Sequence, residues 1–111
     1  MSNNNCIFCS IIAKKIPATI IAEHDGFIVI KDIAPKAPVH YLVIPKLHVV
    51  DLLEAQVPEL MESMIKTVQE LCEQKSLPTS FRTVINTGAE AGQRVFHLHM
   101  HLLAGKAMSD F

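Results

Sequence analysis

Nowhere in the 111 residues do five or more basic side chains cluster, and ten Lys and Arg are balanced by eleven Asp and Glu, for a net charge of −1. A polynucleotide backbone is held by accumulated positive charge, so binding to a nucleic acid polymer has no electrostatic support. Long apolar runs are missing too. Stretches such as Phe27 to Ile30 fall far short of the roughly 20 residues needed to cross a bilayer, which excludes a membrane span. Met1 to Asn5 carry no basic residue and lead into no long apolar segment, so no secretory signal is expected and a cytoplasmic location is. The cysteines are few and odd in number, Cys6, Cys9 and Cys72, which argues against a disulfide framework. Repeats, linkers and low-complexity tracts are absent. What is left has the length of one ordinary domain, 1–111, whose chemistry must share a single fold. With 50% of the residues hydrophobic, some apolar surface is expected to be buried between subunits.

Asn5 is suited to cap a short helix over Cys6 to Ala13, stopped before Pro17, with Cys6 and Cys9 on one face. Thr19 to Glu23 and Phe27 to Lys31 are β-branched and aromatic segments on either side of His24, Asp25 and Gly26. Asp-Gly supplies the tight turn of a hairpin. Two prolines keep Asp32 to Pro38 irregular, whereas His40 to Ile44 reads as a third strand closed by Pro45. From Pro58 to Lys75, Leu60, Met61, Met64, Ile65, Val68, Leu71 and Cys72 recur at helical spacing, and Pro58 fits the first turn. That helix, about 27 Å long, can lie across one face of a small sheet. Arg82 to Asn86 and His97 to Leu103 complete five strands, joined by a Gly-containing loop from Thr87 to Phe96. The expected fold class is α+β: a five-stranded antiparallel sheet with one long helix and a short N-terminal helix, not a doubly wound Rossmann sheet.

Three of the six histidines alternate in the last strand: His97, Leu98, His99, Met100, His101, Leu102, Leu103. A period of two sends the three imidazoles to one face and Leu98, Met100 and Leu102 to the other, beneath the long helix. Such a row suggests either a metal site or imidazole chemistry. Same-face Cα atoms are about 6.8 Å apart, so three nitrogens would converge on one ion with difficulty. A spread row suits a substrate laid along it. Neutral imidazole attacks phosphorus and leaves again readily, and a protonated neighbour stabilises phosphate oxygens. Upstream, Asn86, Gly88, Gly92 and Gln93 surround a loop whose glycines let backbone N–H groups approach an anion. An ordinary turn fits the Gly-x-x-x-Gly spacing equally well. Cys6-x-x-Cys9 has a spacing common in zinc sites but supplies two ligands of the four a tetrahedral site needs. A thioredoxin-like redox role lacks its βαβ context.

His97-Leu98-His99-Met100-His101-Leu102-Leu103 matches the alternating motif that names the histidine triad family. Asp32-Ile33-Ala34-Pro35-Lys36-Ala37-Pro38-Val39-His40, Leu42-Val43-Ile44-Pro45-Lys46 before His48, and Asn86-Thr87-Gly88 with Gly92-Gln93 extend the resemblance from Cys6 to Gly105. The chain is most similar to the short Hint branch. The resemblance implies a homodimeric purine nucleoside phosphoramidase, acting on AMP- or GMP-linked substrates, whose two sheets join into one of ten strands. It implies no organic cofactor. It makes His99 the nucleophile on the α-phosphate and His101 a ligand of phosphate oxygen, supported by His40 and ordered by His97. Asp32 would hold the ribose and Ile33 line the base pocket, with Asn86, Gly92, Gln93 and Val95 around the phosphate and leaving group. Relatives with the Cys pair imply a structural zinc on Cys6, Cys9, His48 and His97. The chain departs from the branch at Arg94, where better-known members carry Ser near the leaving group, and in a short tail without Trp. Dinucleoside polyphosphate hydrolysis and a noncatalytic nucleotide-binding module are the alternatives.

Overall fold

The computed structural model describes residues 5–110; Met1 to Asn4, most of the segment inspected for a leader, and Phe111 at the end of the tail lie outside the described residues. Helix α1 spans Ile7–Ile12. It is shorter than expected, and its cap is Cys6 rather than Asn5: Cys6 takes an extended backbone conformation and its Sγ accepts from the Cys9 N–H. Strands β1 (Ile20–Glu23) and β2 (Phe27–Lys31) form the hairpin, and β3 (Val39–Pro45) follows the proline-rich loop. Helix α2 runs over Val57–Gln74, with Pro58 and Glu59 in its first turn, where a missing N–H and a negative charge both suit the helix start. Then come β4 (Phe81–Val84), a short 3-10 turn at Ala89–Ala91, and β5 (Met100–Ala104). No helix among the described residues is long and apolar enough to cross a membrane.

The five strands are antiparallel throughout, in the order β1-β2-β3-β5-β4. Strand alternation sorts the apolar residues into two layers. Phe27, Val29, Val43, Met100 and Leu102 pack with Met64, Val68 and Leu71 of α2. Ile28, Ile30, Leu42 and Ile44 pack with Phe8, Cys9 and Ile11 of α1. Each face of the sheet is thus covered by one helix, and the histidines lie on the α1 side.

The last strand begins at Met100, not at His97 as expected. The ladder stops at the Val43–Met100 pair, so the same register would next set Ile44 opposite His99 and Pro45 opposite Leu98. Proline has no N–H to continue the ladder, and the Pro45 carbonyl instead receives the His97 ring at 2.7 Å. His97 to His99 therefore run as irregular chain, tied by the Leu98 N–H to Val49 O (2.7 Å) and by the buried Leu98 side chain. The alternation survives: Leu98 joins the α2 core while His97 and His99 turn towards α1. β4 is likewise shifted, spanning Phe81–Val84 and ending opposite His101.

Candidate active site and metal cluster

The site is assembled from β3, the segment leading into β5, and α1. His99 and His101 meet edge to face, ring centroids 5.1 Å apart, and His40 of β3 adjoins His101 at 5.2 Å. Their partners fix which nitrogen carries each proton. The His97 carbonyl lies 2.8 Å from His99 Nδ1 and can only accept, so Nδ1–H donates and the Nε2 lone pair of His99 is left free. The Lys36 N–H donates to His40 Nδ1 (3.0 Å). His40 therefore carries its proton on Nε2 and donates it to His101 Nδ1 at 2.9 Å. The proton of neutral His101 is left on Nε2. A free lone pair and an N–H donor thus belong to adjacent rings.

Burial holds all three rings in the neutral form. It lowers the pKa of His99 and His40, and with the neighbouring His99 and His40 it brings that of His101 to about 4. Asp32 opposes the shift in each case. Its Oδ1 caps the turn by accepting from the Ala34 N–H at 2.8 Å, while Oδ2 lies 3.4 Å from His40 Nε2.

A cavity of about 280 Å³ is lined by Ile7, Phe8 and Ile11 of α1 together with Asp32, Ile33 and Val95, and two of these residues contact the imidazoles, Phe8 at His99 and Asp32 at His40. Ile33, at 97% exposed, stands in water at its rim. Phe8 was not singled out from the sequence, yet its ring meets His99 edge-on at 5.0 Å and His97 at 5.8 Å. The apolar face of α1 was the available signal. Across Ile7 and Val95 a second cavity of about 420 Å³ is lined by Cys6, His48, Arg94 and Phe96.

The glycine loop is braced from within. Gly88 and Gly92 have φ of +89° and +105°, conformations that side chains rarely adopt. Gln93, expected at the phosphate, is buried: its Oε1 accepts from the Gly88 N–H (2.9 Å) and its amide nitrogen donates to Val50 O (2.7 Å) and Val95 O (3.2 Å). Its side chain shapes the loop. Asn86, whose extrapolated register is opposite His99, keeps its side-chain amide beside Gly92 at 3.6–3.8 Å from the position of an added Cβ. Arg94 Nη1 donates to Ala89 O at 2.9 Å, leaving the exposed guanidinium otherwise without a partner among the described residues.

His97 turns away from the triad. Its Nε2–H donates to Pro45 O, so its Nδ1 lone pair faces Cys6 Sγ (3.3 Å), Cys9 Sγ (3.6 Å) and His48 Nδ1 (3.1 Å). The four ligand atoms of Cys6, Cys9, His48 and His97 lie within 4.8 Å of one another. Two thiols and two imidazoles at these separations suit a tetrahedral ion such as zinc, with the carbonyl of Pro45 orienting one ligand from behind. Burial raises the Cys6 thiol pKa, a cost that metal binding offsets by taking the thiolate. A second group, Asp32, His40 and His101, is equally close, but its protons are placed against metal binding. An ion on His40 Nε2 would force the ring proton onto Nδ1, against the Lys36 N–H. That group is built to pass hydrogen bonds.

Comparison with known proteins agrees with this architecture. The family model described as "Scavenger mRNA decapping enzyme C-term binding" matches residues 5–111. An uncharacterised HIT-like protein of Synechococcus elongatus is 44% identical over 96% of this chain and 96% of its own length. The adenylylsulfatase HINT1 of Arabidopsis thaliana is 36% identical, covering 97% of this chain and 76% of its own. Among solved structures, a HIT family hydrolase from Clostridium thermocellum superposes with a TM-score of 0.90 at 38% identity, covering 99% of this chain and 98% of that one. A zinc-bound histidine triad family protein from Mycobacterium smegmatis gives 0.80 at 36%, covering 91% and 75%. The matched length, the antiparallel sheet and the ordered imidazoles together place the chain in the histidine triad family, and its relatives include Hint-like members.

Proposed function

We propose that this protein hydrolyses purine nucleoside phosphoramidates, and acyl- or ester-linked nucleoside monophosphates, through a nucleotidyl intermediate on His99. The observation that carries the reading is the hydrogen-bond chain that leaves the His99 Nε2 lone pair free beside the His101 Nε2–H. In the first step His99 Nε2 attacks phosphorus, the bond to the leaving amine or oxygen breaks, and that group departs with a proton taken from solvent. Water then attacks the same phosphorus, gives a proton back to solvent, and His99 leaves, so one water is consumed and a nucleoside monophosphate is released. His101 Nε2–H donates to a phosphate oxygen while charge builds there, and His40 keeps it aimed. Asn86 and the backbone of Gly92 and Val95 hold the remaining oxygens, with Gln93 bracing the loop.

The purine is assigned to the cavity of about 280 Å³ between Ile33 and the α1 residues Ile7, Phe8 and Ile11, with Asp32 at the ribose. The leaving group is assigned to the adjoining cavity that carries Arg94. The Arabidopsis relative's name, an adenylylsulfatase, supports an adenylyl moiety with a group other than nucleotide on the far side of phosphorus. Zinc on Cys6, Cys9, His48 and His97 belongs to the same reading; it would supply a closed structural anchor joining α1 to the sheet. A second copy is proposed to add its β4 edge to β4 here, one of the two outermost strands, where Phe81 is 40% exposed.

The test is a substrate panel run beside His99→Ala. An AMP phosphoramidate should be turned over far faster than a dinucleoside polyphosphate, and the variant should lose turnover while still binding AMP. Near-normal turnover by the variant would remove the nucleophile assignment.

A further inference from the structure

His97 has two jobs on opposite sides of one residue. Its ring is gripped at both nitrogens, Nε2–H by Pro45 O at 2.7 Å and Nδ1 by the cluster of Cys6, Cys9 and His48. Its main-chain carbonyl accepts the Nδ1–H of His99 at 2.8 Å. The His99 tautomer, and hence the free Nε2, depends on where that carbonyl sits. Little else in the backbone fixes it. Residues 97–99 precede β5 and make no ladder hydrogen bonds, and the nearest backbone tie is Leu98 N–H to Val49 O. Phe8, on the helix that supplies both thiols, also touches both rings edge-on.

We propose that the Cys6–Cys9–His48–His97 cluster is coupled to the nucleophile: a metal ion held there locks the His97 ring and, through its carbonyl, fixes the tautomer and aim of His99. The inference rests on the zinc and hydrolase readings above and extends them. The ion stays out of the reaction, with its four positions filled by protein, and His97 acts as a positioning residue. Without the ion, the His97 and His48 Nδ1 atoms at 3.1 Å must share a proton or separate. Two thiols that keep their protons no longer draw the His97 ring to one place. The His97 carbonyl is then free to shift, and His99 can place its proton on either nitrogen. The metal site of this chain thereby sets catalytic competence as well as stability.

The experiment compares full-length protein, stripped with a chelator and then reloaded with Zn²⁺, by long-range ¹H–¹⁵N spectra of its imidazoles. In the loaded protein His99 should be a single Nδ1–H tautomer, and in the stripped protein a mixture. The kcat for an AMP phosphoramidate should fall about tenfold on stripping, the scale of losing an orienting outer-shell partner, with KM changed much less. A Cys6→Ser/Cys9→Ser variant should give the stripped spectrum at any zinc concentration. If zinc binds at one per chain and the His99 signals do not move, the coupling is overturned while the metal site stands. If no zinc binds, the metal reading falls and takes the coupling with it. If the tautomer shifts as expected but His99→Ala still turns over substrate, the coupling holds and the hydrolase reading is the one that fails.

Discussion

At the residue scale, the role proposed for His99 requires that its Nδ1–H be given to the His97 carbonyl and that its ring remain uncharged. Burial secures the second condition, because it lowers the pKa of His99 below the ordinary 6.5 and brings that of His101 to about 4. On acidification the acid limb of kcat/KM should therefore lie below pH 6.5; a rate profile with its acid limb centred on 6.5 would contradict the burial argument. His99→Ala should reduce kcat by about a thousandfold or more, as removal of a covalent nucleophile does. Arg94, an exposed cation on the cavity proposed for the leaving group, would govern preference. In Arg94→Ser the ratio of rates for a carboxylate-bearing leaving amine and its methyl ester should drop by up to about fivefold, the scale of an exposed ion pair. An unchanged ratio would take Arg94 out of the substrate's reach. The triad was legible in the sequence because alternation is a property of the chain itself. The proton positions were not, since they depend on contacts that only the fold creates, His101 with His40 and His97 with the Pro45 carbonyl, both distant in sequence.

The elements were legible wherever apolar periodicity was long, as in α2, and misplaced where a tertiary partner decides the end. Pro45 is the clearest case. It marks the close of β3 in the sequence, but its effect on β5, the neighbouring strand in the sheet, where it stops the ladder before His99, needs the register to be known. Cys6 is another, a metal-ligand candidate that also caps α1 with its sulfur. The irregular run from His97 to His99 depends on Leu98, which is 1% exposed and packs into the α2 core. Leu98→Ala should lower unfolding stability by about 3 kcal/mol through the cavity it leaves, measured by denaturant titration. A loss below about 1 kcal/mol would mean that the segment is held by other contacts. Just past β5, Gly105 has φ of +96° and a Cβ placed there would stand 3.0 Å from Pro38 Cβ. Gly105→Ala should consequently lower the thermal midpoint, and an unchanged midpoint would contradict the tightness of that contact.

Taken whole, the molecule has a structural face under α2 and a chemical face under α1, and its pH response follows from the second. In the metal-free protein the folded His97 has a pKa of about 4 against 6.5 for an ordinary imidazole. Between those values the unfolded chain takes up a proton that the folded chain refuses. Stability should therefore be complete above 6.5 and decline as pH falls towards 4, visible in denaturation midpoints taken across that range. The reverse trend would place a charged, not neutral, imidazole in the fold. The central claim is that phosphorus is transferred to His99, and rapid mixing with an AMP phosphoramidate followed by an alkaline denaturing quench and peptide mass spectrometry tests it directly. The account predicts one adenylyl group on the peptide containing His99, formed and lost within a turnover and absent from His99→Ala. Turnover without an adduct at that residue, or an adduct that persists in the variant, would contradict it.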